Sequence, residues 1–385
     1  MLRYLTAGES HGPCLTAIIE GLPANLAVDE EAINALLARR QKGYGRGGRM
    51  AIERDRLRFL SAVRWGKTLG SPITLQIENR DWANWERTMS SRGEDRQEGV
   101  EVRHPRPGHA DLNGAIKYRQ RDIRNILERS SARETAMRVA VGGLCRCFLG
   151  SLGIETVSYV TEIGGIAAAD LPLDYRSRGK LASASCCGTF DGAVEAAMMA
   201  RIDAAKAAGD SLGGVVEVVV LGVPVGLGSY VHWDRKLDAR LAAAVMSIQA
   251  FKGVEFGLGF GAARLPGSQV HDEIGYREGR FIRFSNRAGG VEGGMTSGEP
   301  VILRGAMKPI PTLYRPLRTV DLVTKEIHEA SVERSDVCAV AAAAVTAEAV
   351  VAIEMSQAVL EKFGGDSMEE VAANLAAYRK YVEEL

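Results

Sequence analysis

The stretch Val337 to Phe363, VCAVAAAAVTAEAVVAIEMSQAVLEKF, contains the most apolar run of the chain, Val337 to Ile353. It is mostly alanine and is apolar on every side, which predicts a helix buried on every side and running through the centre of the fold. Thr346 and Glu348 interrupt the run, and Gly364-Gly365 ends it. It falls short of the ~18 uninterrupted apolar residues of a membrane span, so a core helix is expected and no membrane partner.

Around this helix, strands and helices mix without the regular alternation of a parallel sheet. Ser71 to Glu78 alternates with period two and reads as a half-buried strand. Leu2 to Thr6 and the β-branched run Val215 to Val223 read as further strands. Asp29 to Arg40 reads as a helix with acids in its first turn and Ile33, Leu36, Leu37 and Arg40 on one face. Ser131 to Leu149 has capping-box spacing at Ser131 and Glu134. Leu237 to Phe251 is another helix, and a last one places Met368, Val371, Leu375 and Tyr378 on one face. Gly164 to Gly188 reads as a loop-like excursion. This pattern is α+β: antiparallel sheets with helices beside or between them. No repeat, linker or domain boundary is visible, so residues 1–385 read as a single domain.

Composition narrows the function. Of 385 residues, 46% are hydrophobic and 25% charged, as in ordinary globular chains. Lys+Arg and Asp+Glu both number 48, which argues against a general nucleic-acid or membrane-surface binder. The first residues lack a basic stretch followed by an apolar run, so a cytoplasmic protein is expected. The six cysteines form no C-x-x-C pair and accompany no histidine cluster, so neither a metal site nor a disulfide framework is expected. Adjacent Cys186 and Cys187 read as small buried residues.

Four segments combine glycine, serine, histidine and arginine in ways a packed core does not require. Gly8-Glu9-Ser10-His11-Gly12 follows a strand, and its glycines let backbone approach a ligand closely. Arg39-Arg40-Gln41-Lys42-Gly43-Tyr44-Gly45-Arg46-Gly47-Gly48-Arg49 sets five cations among four glycines. Arginine grips phosphate or carboxylate in bidentate fashion, so this is an anion loop or a solvated basic loop. Arg103-His104-Pro105-Arg106-Pro107-Gly108-His109-Ala110-Asp111 presents two histidines, either of which suits a general acid. Glu128 to Glu134 places Arg129 and Arg133 at a helix start, where free N–H groups favour anions. No P-loop or dinucleotide fingerprint is present. An RNA- or nucleotide-binding module is disfavoured by 6% aromatics; the arginine-rich segments hold only Tyr44 and Tyr118.

Taken in order, these segments resemble the chorismate synthase family. The resemblance rests on GESHG at Gly8 to Gly12, RPGHAD at Arg106 to Asp111 and RSSARETAMRVAVG at Arg129 to Gly142. It extends through MSIQAFKGVEFG at Met246 to Gly257, GGVEGGMTSG at Gly289 to Gly298 and RSDVCAV at Arg334 to Val340. It implies a β-α-β sandwich, with helices between two antiparallel sheets, usually assembled as a homotetramer. It implies an anti-1,4-elimination of phosphate from 5-enolpyruvylshikimate 3-phosphate, giving chorismate for aromatic amino-acid biosynthesis. The family uses reduced FMN although the reaction has no net redox change. Some members make it with NADPH; for this chain an external flavin reductant is expected.

The substrate's two carboxylates and phosphate make Arg40, Arg46, Arg49, Arg106 and Arg133 its candidate contacts. His109 is the candidate for protonating the departing phosphate. The resemblance gives His11 the protonation or orientation of the flavin, and Ser10 with Asp336 a proton relay from it. It carries FMN contacts onto Arg129, Ser130, Ser131, Gln249, Ala250, Gly293, Lys308, Pro309, Ile310, Pro311, Thr312 and Arg334. Gln249 stands where some relatives have asparagine. His104 has no assigned role, and His232, His271 and His328 read as structural or surface histidines.

Overall fold

A computed structural model describes residues 2–48, 52–333 and 335–385. The predicted central helix is present as Val340–Phe363, and 18 of its 24 residues are buried, so no face is left to solvent along most of its length. Its polar groups are satisfied internally. Thr346 and Ser356 donate to the carbonyls of Ala342 and Ala352. Glu348 accepts from Arg39, Ser158 and Thr156 and pairs with Arg146 at 2.8 Å. Burial opposes the charge of Glu348, but the two arginines hold its carboxyl below the usual range.

Two antiparallel sheets flank the helices. The first comprises β1 (Arg3–Ala7), β2 (Cys14–Glu20), β3 (Leu57–Phe59) and β4 (Ile73–Glu78), in the order β1-β2-β4-β3. The second comprises β5 (Glu155–Ile163), β6 (Ile166–Ala167), β7 (Gly214–Leu221), β8 (Phe251–Phe256) and β9 (Val301–Met307), in the order β8-β9-β7-β5-β6. In β4 buried Ile73, Leu75 and Ile77 alternate with half-buried Thr74 and Gln76 and exposed Glu78, as its period-two pattern requires. Every neighbouring pair in both sheets is antiparallel.

Helix α1 (Glu30–Gln41) is capped by Asp29, whose side chain accepts from Ala32 N at 2.9 Å. Two short helices follow, α2 (Asp111–Tyr118) and α3 (Arg124–Ser130). Helix α4 (Thr135–Ser151) packs on strands of the first sheet and on the central helix, and the central helix packs on β5, β7 and β9 of the second. A Cβ at Gly142 of α4 would lie 2.5 Å from Ala349 Cβ, so only glycine permits this helix crossing.

Three expectations are corrected. The Gly164 to Gly188 excursion contains helix α5 (Tyr175–Ala184), capped by Asp174, which covers the outer face of the second sheet over Val157, Tyr159 and Phe190. The helix expected to Phe251 is α7 (Leu237–Met246), following α6 (Gly192–Ala207); Phe251 instead opens β8, paired to β9. The capping box at Ser131 does not close. Ser131 caps a short turn, Ala132–Glu134, and Glu134 accepts from Arg138 and Gln249 instead. The final elements are α8, the central helix, and α9 (Met368–Glu384), which has a complete Ser367–Glu370 capping box.

Candidate functional site

The four segments converge on one cavity of about 680 Å³. Strand β1 delivers the Gly8–Gly12 turn to its rim. Gly8 has φ +110° and a Cβ there would meet Cys14 O at 2.5 Å, so the turn is closed to other residues. The start of α8 supplies Asp336 and Ala339, and the loop after β9 supplies Lys308 to Thr312, apart from Pro309.

Two histidines enter the cavity, each held by a buried carboxylate. His11 Nδ1 lies 2.9 and 3.0 Å from the Glu128 oxygens, and His11 N donates to Glu128 at 2.8 Å. The His11 ring stacks on Trp85 with centroids 4.1 Å apart, which fixes its plane. Burial opposes ionisation of Glu128, but the hydrogen bonds from His11 hold its carboxyl below the usual range. His109 Nδ1 lies 2.5 Å from Asp111 Oδ1. The other Asp111 oxygen accepts from Arg106 N at 3.0 Å and Nε at 2.8 Å. Burial again opposes the charge, and these donors hold Asp111 far below the ordinary carboxylate range. Arg106 Nη1 continues to Thr312 Oγ1 at 3.0 Å, tying the two loops together.

The cations are less free than their sequence suggests. Asp55 accepts from Arg133 Nη1 at 2.6 Å and Arg40 Nη1 at 3.4 Å, joining both guanidiniums through one buried carboxylate. Arg40 also donates to Thr135 Oγ1 and Ala132 O, and Arg133 to Asn79. Burial pulls Arg40 down to about 10. Arg133 Nη2 pairs with the buried Glu53 carboxylate at 3.7 Å and has no hydrogen-bond partner among the described residues, in a side chain that lines the cavity. Arg46 pairs with Asp336 at 3.0 Å, and Gly47 N donates to the same carboxylate at 2.6 Å. Asp336 therefore holds the glycine loop in place. Ser10 accepts from Ser131 Oγ at 3.2 Å.

The cavity thus gathers Ser10, His11, His109 and Asp336, with Arg40, Arg46, Arg106 and Arg133, and Ser130, Ser131, Gln249, Ala250, Lys308, Ile310, Pro311 and Thr312. Three expected residues are not among its lining. Arg129 is spent on the carbonyls of Thr6 and Gly8. Gly293 lies at the hairpin between Val291–Glu292 and Met295–Thr296. Pro309 contributes its carbonyl to Lys308 Nζ. Arg49 and Arg334 lie outside the described residues. Sequence reading missed Glu128, Asp111, Trp85 and Asp55 as supports; the first two were visible only as acids inside motifs.

Two carboxylate-backed histidines among arginines make this the site of an enzyme equipped for proton transfer on an anionic small molecule. Comparison with known proteins gives the particular family. A family model described as chorismate synthase matches residues 2–360. A chorismate synthase of Syntrophotalea carbinolica is 68% identical over 382 residues, covering 99% of both chains. One from Geobacter sulfurreducens is 63% identical over 390 residues, again covering 99% of both. A crystal structure of chorismate synthase superposes with a TM-score of 0.82 at 46% identity, covering 100% of this chain and 99% of the other. The chain belongs to the chorismate synthase family.

Proposed function

We propose that the chain converts 5-enolpyruvylshikimate 3-phosphate to chorismate by anti-1,4-elimination of phosphate, with reduced FMN as cofactor, in the shikimate pathway of aromatic amino-acid biosynthesis. The observation that carries this reading is the pair of buried contacts His11–Glu128 and His109–Asp111 opening on one arginine-lined cavity. A substrate with three acidic groups matches the cations there, and the leaving phosphate needs a proton or a cation clamp. His109, oriented through Nδ1 by Asp111, is the group assigned to protonate it. Arg46, Arg106, Arg133 and Lys308 are the groups assigned to the anions, and Arg40 keeps Arg133 placed through Asp55. In the same reading Ser10 and Asp336 carry the ring proton away from the site.

The residues present fit a flavin on one observation. Gln249 Oε1 is buried without a hydrogen-bond partner among the described residues, an acceptor suited to a ligand N–H, and Gln249 lines the cavity. Ser130, Ser131, Gln249, Ala250, Lys308 and Ile310 to Thr312 are the residues that would hold it. Reduced FMN, when bound, supplies electron density to the ring as the phosphate departs. His11, fixed by Glu128 and Trp85, would orient or protonate the cofactor.

The same reading takes residues 1–385 as a single domain, a β-α-β sandwich assembled as a homotetramer in the cytoplasm. The packing of α4 on one sheet, α8 on the other and each on its neighbour supports the layering. Exposed apolar side chains, among them Trp65, Phe260 and Tyr276, supply surface for subunits to cover. No nucleic-acid or membrane partner is proposed, and reduced flavin is taken from an external reductant. The test is anaerobic turnover of 5-enolpyruvylshikimate 3-phosphate with chemically reduced FMN, followed by chorismate absorbance. Product is expected, and its absence would overturn the assignment. A second arm with NADPH and oxidised FMN is expected to give none; product there would overturn the external-reductant reading alone.

A further inference from the structure

Outside the cavity, the segment between α5 and α6 gathers soft donors that nothing in the proposed reaction uses. One ligating atom from each of Cys186, Cys187 and Glu195 lies within 4.8 Å of the others. Cys186 Sγ is 3.3 Å from Glu195 Oε1 and 3.6 Å from Met199 Sδ. Glu195 and Met199 are four residues apart on α6, so both project from the same face towards the cysteines. A tetrahedral zinc ion with zinc–sulfur bonds of about 2.3 Å separates neighbouring sulfurs by roughly 3.7 Å. The Cys186–Met199 spacing already matches that edge.

We propose that Cys186, Cys187 and Glu195, with Met199 as fourth donor, form a binding site for a thiophilic divalent metal ion such as zinc(II). Two thiolates and a carboxylate are donors that suit a borderline-soft cation over calcium or magnesium. The carboxylate is fixed in advance. Ser185 Oγ donates to Glu195 Oε1 at 2.5 Å and Cys187 N donates to it at 3.2 Å. Cys186 is exposed and gives an ion access, while buried Cys187 forms the floor. Binding forms two metal–thiolate bonds, one metal–thioether bond and one metal–carboxylate bond, and releases the two S–H protons to solvent. The site adjoins the anion loop, because Cys186 O accepts from Tyr44 N at 2.8 Å.

The test is titration of the reduced full-length protein with cadmium(II), with zinc(II) as competitor and a phosphine as reductant. One equivalent per chain, with thiolate-to-cadmium charge-transfer absorbance displaced by zinc, is the expected result. Cys186→Ser, at an exposed position that leaves the core intact, is expected to abolish the band. Glu195→Gln is expected to weaken binding by roughly tenfold or more. Cys14→Ser, on the first sheet, is expected to bind as the parent does. Absence of the band in the parent, or its survival in Cys186→Ser, would overturn the site.

Discussion

His109 and Asp111 are two residues apart, and their side chains meet with Nδ1 2.5 Å from Oδ1 at the first turn of α2. The helix end favours the carboxylate there. Arg106 occupies the other oxygen, so the imidazole is oriented by a group that is itself fixed from two sides.

From this contact follows a kinetic prediction. His109→Ala should lower kcat by roughly 10²- to 10⁴-fold, the usual worth of a positioned general acid, with flavin affinity little changed. Asp111→Asn should also lower kcat, because it removes the orienting charge but leaves the ring. Stopped-flow turnover and a flavin titration on each variant separate the two effects. Loss of flavin binding in His109→Ala would remove the proton-transfer role assigned to that residue.

Acid sensitivity should follow from the same carboxylates. Asp111 and Glu128 are both held below their ordinary values in the folded protein. A depressed carboxylate stabilises the fold above its unfolded pKa, near 4, and loses that contribution as pH falls through its folded value. The melting temperature should therefore drop below about pH 4. In Asp111→Asn the drop should be shallower, so the gap between variant and parent narrows as pH falls. A gap independent of pH between 3 and 7 would contradict the ionised Asp111–His109 contact.

How much of this was legible in the sequence follows from the range of the interactions. The central helix was readable because burial on every side leaves a continuous local signature, and Gly364 marks its end. The histidines and arginines of the cavity were readable because each sits in a short segment dense in glycine, serine or charge. Helix α5 was missed because its only strong local signal is the Asp174 cap, while its packing partners Val157 and Tyr159 lie on a strand well before it. The extent of α7 was misjudged because pairing of β8 with β9, some fifty residues further on, overrides helix continuation at Phe251. Asp55 was invisible as a site support. Its role comes from meeting Arg40 and Arg133, and the second of these is 78 residues away.

That bridge carries its own prediction. Asp55→Ala removes the carboxylate shared by two buried guanidiniums and leaves Arg133 only Glu53 at 3.7 Å as counter-charge, and breaking a buried pair costs about 3–5 kcal/mol. Chemical denaturation should show a loss of this size. Arg133 would lose its fixed position as well, so KM for the substrate should rise in whatever fraction remains folded. An Asp55→Ala variant as stable as the parent would mean that solvent reaches the pair.

Glycines on α4 give a prediction of opposite signs within one helix. At Gly142 a Cβ would stand 2.5 Å from Ala349 Cβ and 2.6 Å from Ala349 Cα and O, backbone that cannot swing aside. Gly142→Ala must push α4 and α8 apart, and overpacking of this kind costs about 1–3 kcal/mol. At Gly150, exposed near the end of the same helix, nothing lies within 4 Å of the added carbon. Gly150→Ala should stabilise by about 0.5–1 kcal/mol, because alanine has less backbone freedom to lose on folding. The two variants measured side by side by denaturant unfolding distinguish helix propensity from packing. Propensity alone would make both stabilising. Only a close crossing of α4 against the buried stretch around Ala349 makes Gly142→Ala destabilising while Gly150→Ala is not.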